Sequence, residues 1–401
     1  MMEAVSEPAA ATPSWQARVI RMGSTEYPYY YGFDCLDLIV ESLAGLGADL
    51  FIVVTDDRVL ELHGEALLSR LGELARVEVV SQPPGETGKT VPILAGAIER
   101  ILAMGATRRS VVVGFGGGVP GNLAGLLASL VFRGIRLVHI PTSTVAAMDS
   151  VLSLKQAVNS RVGKNHIGTY LAPLAVYTDV KLLMTLSDRE LRSGLCEAAK
   201  NCFAIEPKQF STLRTLLAAR RPFRSAQSLM WLLDVSIEAK SRVMLEDPRE
   251  QRTGLVLEYG HTVGHAVELA DFRHRGADGL SHGAAIAFGM VVAAHLSHRL
   301  GWLSSELVAL HEEVVSELRA PTRLPAWLSV DEVMEIVRKD NKRGYLPTST
   351  SSAPFVLLRG LGSVAGKPEL PLVPVPLDEV RSVLTDLSDA AAVPSQVRVS
   401  A

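Results

Sequence analysis

Halfway along this chain the β-type signal stops. Up to about Leu182, short runs of apolar and β-branched residues alternate with helical patterns; beyond it, helical periodicity holds almost alone. Phe51-Ile-Val-Val-Thr55 and Val111-Val-Val-Gly-Phe115 read as buried strands, and Leu137-Val-His-Ile140 and Ala175-Val-Tyr177 as shorter ones. Amphipathic segments at 91–104 and 122–132 lie between them. Strands alternating with helices imply a mainly parallel sheet covered on both faces. The second half predicts helices over 190–205, 225–246, 260–270, 283–300, 306–318 and 330–339, with one late strand, Phe355-Val-Leu-Leu358. The expected fold class is therefore α/β plus all-α: a parallel-sheet domain over 16–184, then a helical domain over 185–388. The Ala-, Pro-, Ser- and Glu-rich ends, 1–15 and 389–401, are expected to be disordered.

Charge and apolar content narrow the partners. A formal net charge of −3 argues against nucleic acid or an acidic membrane. The longest apolar stretch, 284–294, falls short of the roughly 20 residues that span a bilayer, and the N-terminus lacks the apolar core of a signal peptide. The three scattered cysteines, Cys35, Cys196 and Cys202, suit neither a disulfide framework nor a Cys-rich zinc site. They fit a reducing cytoplasm. The expectation is a cytoplasmic protein that acts on a small molecule, with no nucleic-acid or membrane partner.

A glycine-rich run, Gly114-Phe-Gly116-Gly117-Gly118-Val-Pro-Gly121-Asn122, follows one predicted strand and precedes a helix. Such a turn lets backbone approach a pyrophosphate and offers it the next helix's free N–H groups; a ligand-free strand-to-helix turn is the plain alternative. It follows a later strand than the usual dinucleotide fingerprint does. After the first strand, Asp56-Asp57 offers a carboxylate to a cofactor ribose or, equally, a helix N-cap. Glu86 and Lys89 sit in another turn, Pro83-Pro84-Gly85-Glu86-Thr87-Gly88-Lys89-Thr90.

In the helical half, His261 and His265 stand four residues apart in Tyr259-Gly-His-Thr-Val-Gly-His265, hence on one helix face. His282 opens the next apolar helix, and Glu197 lies in Gly194-Leu-Cys-Glu197-Ala-Ala-Lys200. Two imidazoles and a carboxylate can hold a divalent metal while leaving positions open for a substrate hydroxyl. Each histidine taken singly is better explained by a structural or surface role. The spacing is not that of a zincin, since no Glu follows His261. Between the halves, Pro141-Thr142-Ser143-Thr144, Asp149-Ser150, Lys155-Gln-Ala-Val-Asn159 and Gly163-Lys164-Asn165 make a dense polar run. That density suits a polyhydroxylated, anionic substrate. Lys200 and Lys240 add charge at helical positions, where a surface role is the alternative.

Together these motifs, in this order from about Val53 to Gly362, resemble the dehydroquinate synthase superfamily of sugar-phosphate cyclases. The resemblance implies a Rossmann-like NAD-binding domain, a C-terminal helical metal-binding domain and a homodimer. It implies Glu197, His261 and His282 as metal ligands, with zinc and cobalt both admissible. Asp56, Glu86, Lys89, Gly117, Gly118, Thr142, Ser143 and Thr185 would contact NAD. Asp149, Lys155, Lys164, Asn165, Lys200, Lys240 and His265 would surround a sugar phosphate, with Asp149 and Lys164 also near the cofactor. Lys155 and His265 would take part in catalysis, and Arg133 would reach a phosphate in the partner subunit. Lys342 and Lys367 are both candidates for a late lysine of the family.

Four departures point to one branch. Asn122 stands where dehydroquinate-forming members have Asp, Glu258 where they have Asn, and Gly254 where they have Arg. Lys155-Gln156-Ala157-Val158-Asn159 also departs from their Lys-Thr-(Ala/Gly)-Ile-Asn. Without the arginine there is no bidentate clamp for a substrate carboxylate. All four resemble the cyclases that make a deoxy-inosose from glucose 6-phosphate for aminoglycoside antibiotics, by transient oxidation at carbon 4, loss of phosphate, re-reduction and aldol closure. Glu258 is then expected to assist proton transfer, with the substrate phosphate taking that proton itself as the alternative. Cyclases making dehydroquinate or a valiolone are the alternative within the superfamily. An NAD-dependent polyol dehydrogenase is the alternative of another class.

Overall fold

The computed structural model describes residues 15–161, 163–219, 223–346 and 350–388. The chain forms two compact units. The first takes in residues through 19, 27–142 and 156–185; the second takes in 20–26, 143–155 and 186 onward. The change falls one residue from the expected 184/185 boundary, but 143–155 goes with the helical unit rather than the α/β one. The expected disorder of 1–15 and 389–401 falls outside the described residues, except at Trp15, which opens a strand instead.

The strands of the first half are β1 (Trp15–Met22), β2 (Thr25–Gly32), β3 (Leu50–Asp56), β4 (Arg76–Gln82), β5 (Val111–Gly116), β6 (Arg136–Pro141), β7 (Lys155–Ser160), β8 (Gly163–Tyr170) and β9 (Ala175–Asp179). Seven of them make one sheet in the order β1-β2-β9-β6-β5-β3-β4. From β2 to β4 every described pairing is parallel. The central strands β3 and β5 are buried at every residue, as a parallel sheet covered on both faces requires. Side chains alternate between two cores. Ile52, Val54 and Val112 pack with Leu123 and Leu127 on one face, and Phe51, Val53 and Val113 pack with Ile39 and Leu67 on the other.

The strand order reverses between β3 and β5, because the chain leaves β3 for β4 on one side and returns to β5 on the other. Such a switch point is where open α/β sheets bind ligands, outside the carboxyl ends of the strands. Asp56 ends β3 there and Gly116 ends β5. β1 and β2 were not foreseen, although Tyr27-Pro-Tyr-Tyr-Tyr31 carries an aromatic strand signal. Tyr30 stacks between Trp15, at 4.5 Å, and Tyr177, at 5.4 Å. In the polar run, β7 and β8 pair as a two-stranded sheet.

The second unit contains the helices Asp188–Ala204, Ala226–Glu246, His261–Arg275, His282–Arg299, Ser305–Glu317 and Val330–Val337. Serine side chains cap five of the six, from Ser187, Ser225, Ser281, Ser304 and Ser329. The late strand splits into Ser352–Phe355 and Leu358–Gly360. Among the described residues, no helix is long and apolar enough to cross a membrane.

Candidate active site

Three helices of the second unit bring the metal-type donors together. Glu197 lies within the helix Asp188–Ala204, His261 and His265 stand one turn apart on the helix His261–Arg275, and His282 opens the helix His282–Arg299. Glycines let these helices approach. A Cβ on Gly289 would collide with the Gly260 carbonyl, and one on Gly283 with the Ser193 carbonyl.

The His261 and His265 rings are 5.0 Å apart and the His261 and His282 rings 5.7 Å. One nitrogen from each of His261, His265 and His282 falls within 4.8 Å of the others. Glu197 Oε1 stands 3.5 Å from His282 Nε2 and 3.9 Å from His261 Nε2. The imidazoles are oriented from behind. His261 Nδ1 donates to the Tyr259 carbonyl at 3.1 Å, and His282 Nδ1 lies 3.2 Å from Glu268 Oε2, so both turn Nε2 toward Glu197. Such outer contacts fix the tautomer of a metal-ligating histidine.

The Glu197 carboxylate is buried, and neither oxygen has a well-aligned hydrogen bond, although Lys200 Nζ lies 2.6 Å from Oε2. A buried, under-satisfied carboxylate facing two imidazole nitrogens is a donor set that fits a divalent metal. Burial, aided by Lys200, pushes His261 down to about 3; burial, aided by His261, does the same to His265. Both are neutral at ordinary pH, the form in which histidine binds metal. His265, read from sequence as a substrate contact, thus lies within the donor cluster itself.

Cations and carboxylates surround this cluster. Lys240 Nζ pairs with Asp149 at 2.7 Å and also donates to the Asp149 carbonyl at 2.9 Å. Burial opposes ionisation of Asp149, but Lys240 and then Lys200 outweigh it and hold the carboxyl well below its usual range. Lys155 Nζ meets Glu250 Oε2 at 2.7 Å. Glu258 lies 3.4 Å from the buried Lys342 ammonium, which Asp340 also holds at 2.9 Å. Burial again works against ionisation of Glu258, and Lys342 followed by His261 overcomes it, so that Glu258 is a carboxylate. Of the two late lysines, Lys342 belongs to this cluster, while exposed Lys367 pairs locally with Leu370.

The first unit carries a second polar set at the carboxyl ends of its strands. Asp56 caps the next helical turn, accepting from Val59 N at 2.9 Å, and its Oδ2 faces Gly116. The N-cap alternative is therefore realised, at the switch point. Gly117 precedes the helix Gly118–Leu130, and Asn122 staples it to β7 by accepting from Ala157 N at 3.0 Å. Thr142 N donates to the Gly116 carbonyl at 2.9 Å. Glu86 accepts from Asn159 at 2.7 Å, Asn165 N donates to Asn159 Oδ1 at 2.9 Å, and Lys89 Nζ donates to Asn165 Oδ1 at 2.5 Å. Lys164 lies beside Asn165 on β8. Thr185 Oγ1 donates to the Leu182 carbonyl at 2.7 Å.

Ser143, counted with the second unit, caps the short helix Thr144–Met148. Arg133 is exposed beside Phe132, both at positive φ (66° and 50°). Two residues were missed. Asn159 links Glu86 to Asn165, and its signal lay in the polar run itself. Glu250 carried no sequence signal, yet it is a buried carboxylate at φ 52°, a backbone state that costs a non-glycine residue and is retained where surroundings enforce it.

A cluster of histidines and a carboxylate able to hold a divalent metal, in a helical unit, and a parallel-sheet unit with a glycine-rich switch point define a class. The chain matches the 3-dehydroquinate synthase N-terminal pattern over residues 79–193 and the C-terminal pattern over 194–343, and it belongs to that family. Within it, the chain is 46% identical to the 2-deoxy-scyllo-inosose synthase of Streptomyces kanamyceticus over 93% of its own length and 95% of the relative's. It superposes with a TM-score of 0.86, at 33% identity, on a 2-deoxy-scyllo-inosose synthase complexed with carbaglucose-6-phosphate, NAD+ and Co2+, covering 92% of this chain and all of that one. A 2-epi-5-epi-valiolone synthase from Streptomyces hygroscopicus with NAD+ and Zn2+ bound shares the fold, with a TM-score of 0.75 at 22% identity over 92% and 99% of the two chains.

Proposed function

We propose that the chain converts D-glucose 6-phosphate into 2-deoxy-scyllo-inosose and inorganic phosphate, with NAD and a divalent metal, zinc or cobalt, as cofactors. The observation that carries this reading is the contrast between positions 254 and 258. At 254 a glycine is packed so closely that a Cβ would sit 2.8 Å from Asp247 Oδ2, leaving no arginine to clamp a substrate carboxylate. At 258 a half-buried carboxylate stands by the histidine cluster. A substrate with hydroxyls and a phosphate but no carboxylate suits both.

Glu197, His261 and His282 would hold the metal, and Asp56, Glu86, Lys89, Gly117, Gly118, Thr142, Ser143 and Thr185 would contact NAD. When bound, NAD supplies a reversible hydride acceptor and the metal a Lewis acid. Lys164, Asn165, Lys200 and Lys240, with Asp149, would bind the sugar phosphate through charge-assisted hydrogen bonds. Glu258, ionised and within reach of the Lys342 ammonium, takes the proton from carbon 5 of the ketone as phosphate leaves carbon 6. Lys155, held by Glu250, and His265 serve the later proton transfers. Holding both ends of the opened sugar in one place favours the closing aldol step. The chain would act as a cytoplasmic homodimer, Arg133 of one copy reaching the phosphate in the other.

The test is to follow phosphate, the carbocyclic ketone and NADH together, starting from glucose 6-phosphate with catalytic NAD and added Zn2+ or Co2+. Equal phosphate and inosose with no net NADH is expected, and chelation should abolish both. Stoichiometric NADH without phosphate would identify a polyol dehydrogenase instead, and turnover only with a heptulose phosphate would identify another cyclase.

A further inference from the structure

A second cationic cluster lies in the helical unit. A cavity of about 260 Å³ is lined by three arginines, Arg189, Arg192 and Arg319, with Asp278 as the single carboxylate of its wall. Arg189 is tied back to the Gly279 carbonyl. Arg192 donates to the Glu317 carbonyl at 3.4 Å. The described residues give neither Arg192 nor Arg319 a carboxylate within ion-pair distance. Arg189 and Arg319 are exposed and Arg192 is half-buried, and nearby Asp188 offsets part of the charge on Arg192 and Arg319, but the cavity wall itself gathers three guanidiniums whose N–H groups an anion can bridge. Burial and then the neighbouring Arg319 both act against protonation of Arg192.

Arg319 sits at φ 56° just past the helix Ser305–Glu317 and closes it in a left-handed cap, Ala320 N donating to the Val315 carbonyl at 3.1 Å, which fixes where its side chain starts. The rest of the wall is small or apolar, including Leu280, Ala284 and Leu318. It also includes Cys196 and Ser281, the residues directly before Glu197 and His282. Guanidinium forks match the oxygens of phosphate.

We propose that this arginine pocket is a binding site for a phosphate group, distinct from the catalytic cluster. It reads the charge and oxygens of the anion, while its apolar wall takes whatever the phosphate carries. The proposal does not depend on the reaction assigned above.

The test titrates inorganic phosphate and, separately, glycerol 3-phosphate into the full-length, metal- and NAD-loaded protein by calorimetry, alongside Arg319→Gly and Arg192→Gln. Arg319→Gly removes the guanidinium and relieves the left-handed backbone, so the variant keeps its fold; its melting temperature verifies this. Both variants should weaken one phosphate-binding event by about tenfold or more, equivalent to about 1.4 kcal/mol, with kcat unchanged. Lys164→Ala should leave that event intact. Weakening for inorganic phosphate alone identifies the free ion as ligand, and weakening for both probes identifies a phosphomonoester. Superimposable isotherms for wild type and both variants overturn the proposal.

Discussion

At the scale of single residues, the site is a set of buried and half-buried charges whose partners decide their protonation. Glu258 is ionised because Lys342 outweighs its burial. Glu258→Gln should therefore lower turnover by ~10²–10⁴, the usual range for a proton-transfer group, with bound metal unchanged on elemental analysis. Unchanged activity would remove it from the mechanism. His265 separates two geometries. If it contacts substrate, His265→Asn abolishes turnover and keeps stoichiometric metal; loss of metal would make it a ligand, which its place within 4.8 Å of the other two histidines also allows. Glu250 holds Lys155 at 2.7 Å from a strained backbone. Glu250→Gln should cut kcat by about tenfold or more with the melting temperature little changed, since the amide keeps the volume and loses the charge-assisted bond. The histidine spacing, Glu197 and the polar run were legible in the sequence because chemistry restricts which residue types can serve. Glu250 was not, because a lone glutamate in a connection has no pattern until the fold buries it.

At the scale of elements, close helix contacts set the donor geometry. Gly260 adopts φ 79° just before the helix that carries His261 and His265, and Gly289 lies against its carbonyl. Gly289→Ala should cost ~1–3 kcal/mol through overpacking, read as a lower melting temperature, and should weaken metal retention by shifting His261. Equal stability and metal content would show that the contact yields without strain. The element positions themselves followed from periodicity. The buried strand predicted at 51–55 is β3 at Leu50–Asp56, and the helix predicted at 283–300 is His282–Arg299. The pairing of β7 with β8 was missed because polar residues break its pattern: Asn159 and Asn165 join a network with Glu86 and Lys89, and the buried apolar pair Ala157-Val158 is too short to signal a strand.

At the scale of the molecule, buried neutral histidines make stability depend on acidity. In the first unit, burial pushes His139 down to about 4. In the second, burial does the same to His311, whose Nδ1 donates to the Leu307 carbonyl at 2.7 Å while Tyr259 Oη donates to its Nε2 at 2.9 Å. The unfolded chain titrates these rings near 6.5, so below that pH it takes up protons that the folded chain refuses. Their stabilising effect is complete above about 6.5 and is lost as pH falls toward 4, by ~3 kcal/mol for each ring. Urea midpoints measured between pH 7 and pH 4 should fall accordingly, and His139→Leu should flatten the decline. A midpoint independent of pH would mean that the rings are solvated.

The sequence by itself determined the change from alternating strands and helices to helices alone, and with it the two-part architecture. It also determined the type of each donor, because side-chain periodicity and ligand chemistry are local properties. Tertiary structure alone decided that 143–155 joins the helical unit, that Asp56 and Gly116 meet where the strand order reverses, and that Lys342 rather than Lys367 reaches Glu258. Those outcomes depend on which strands pair and which helices touch, and such contacts join residues far apart in the chain whose proximity no local pattern encodes.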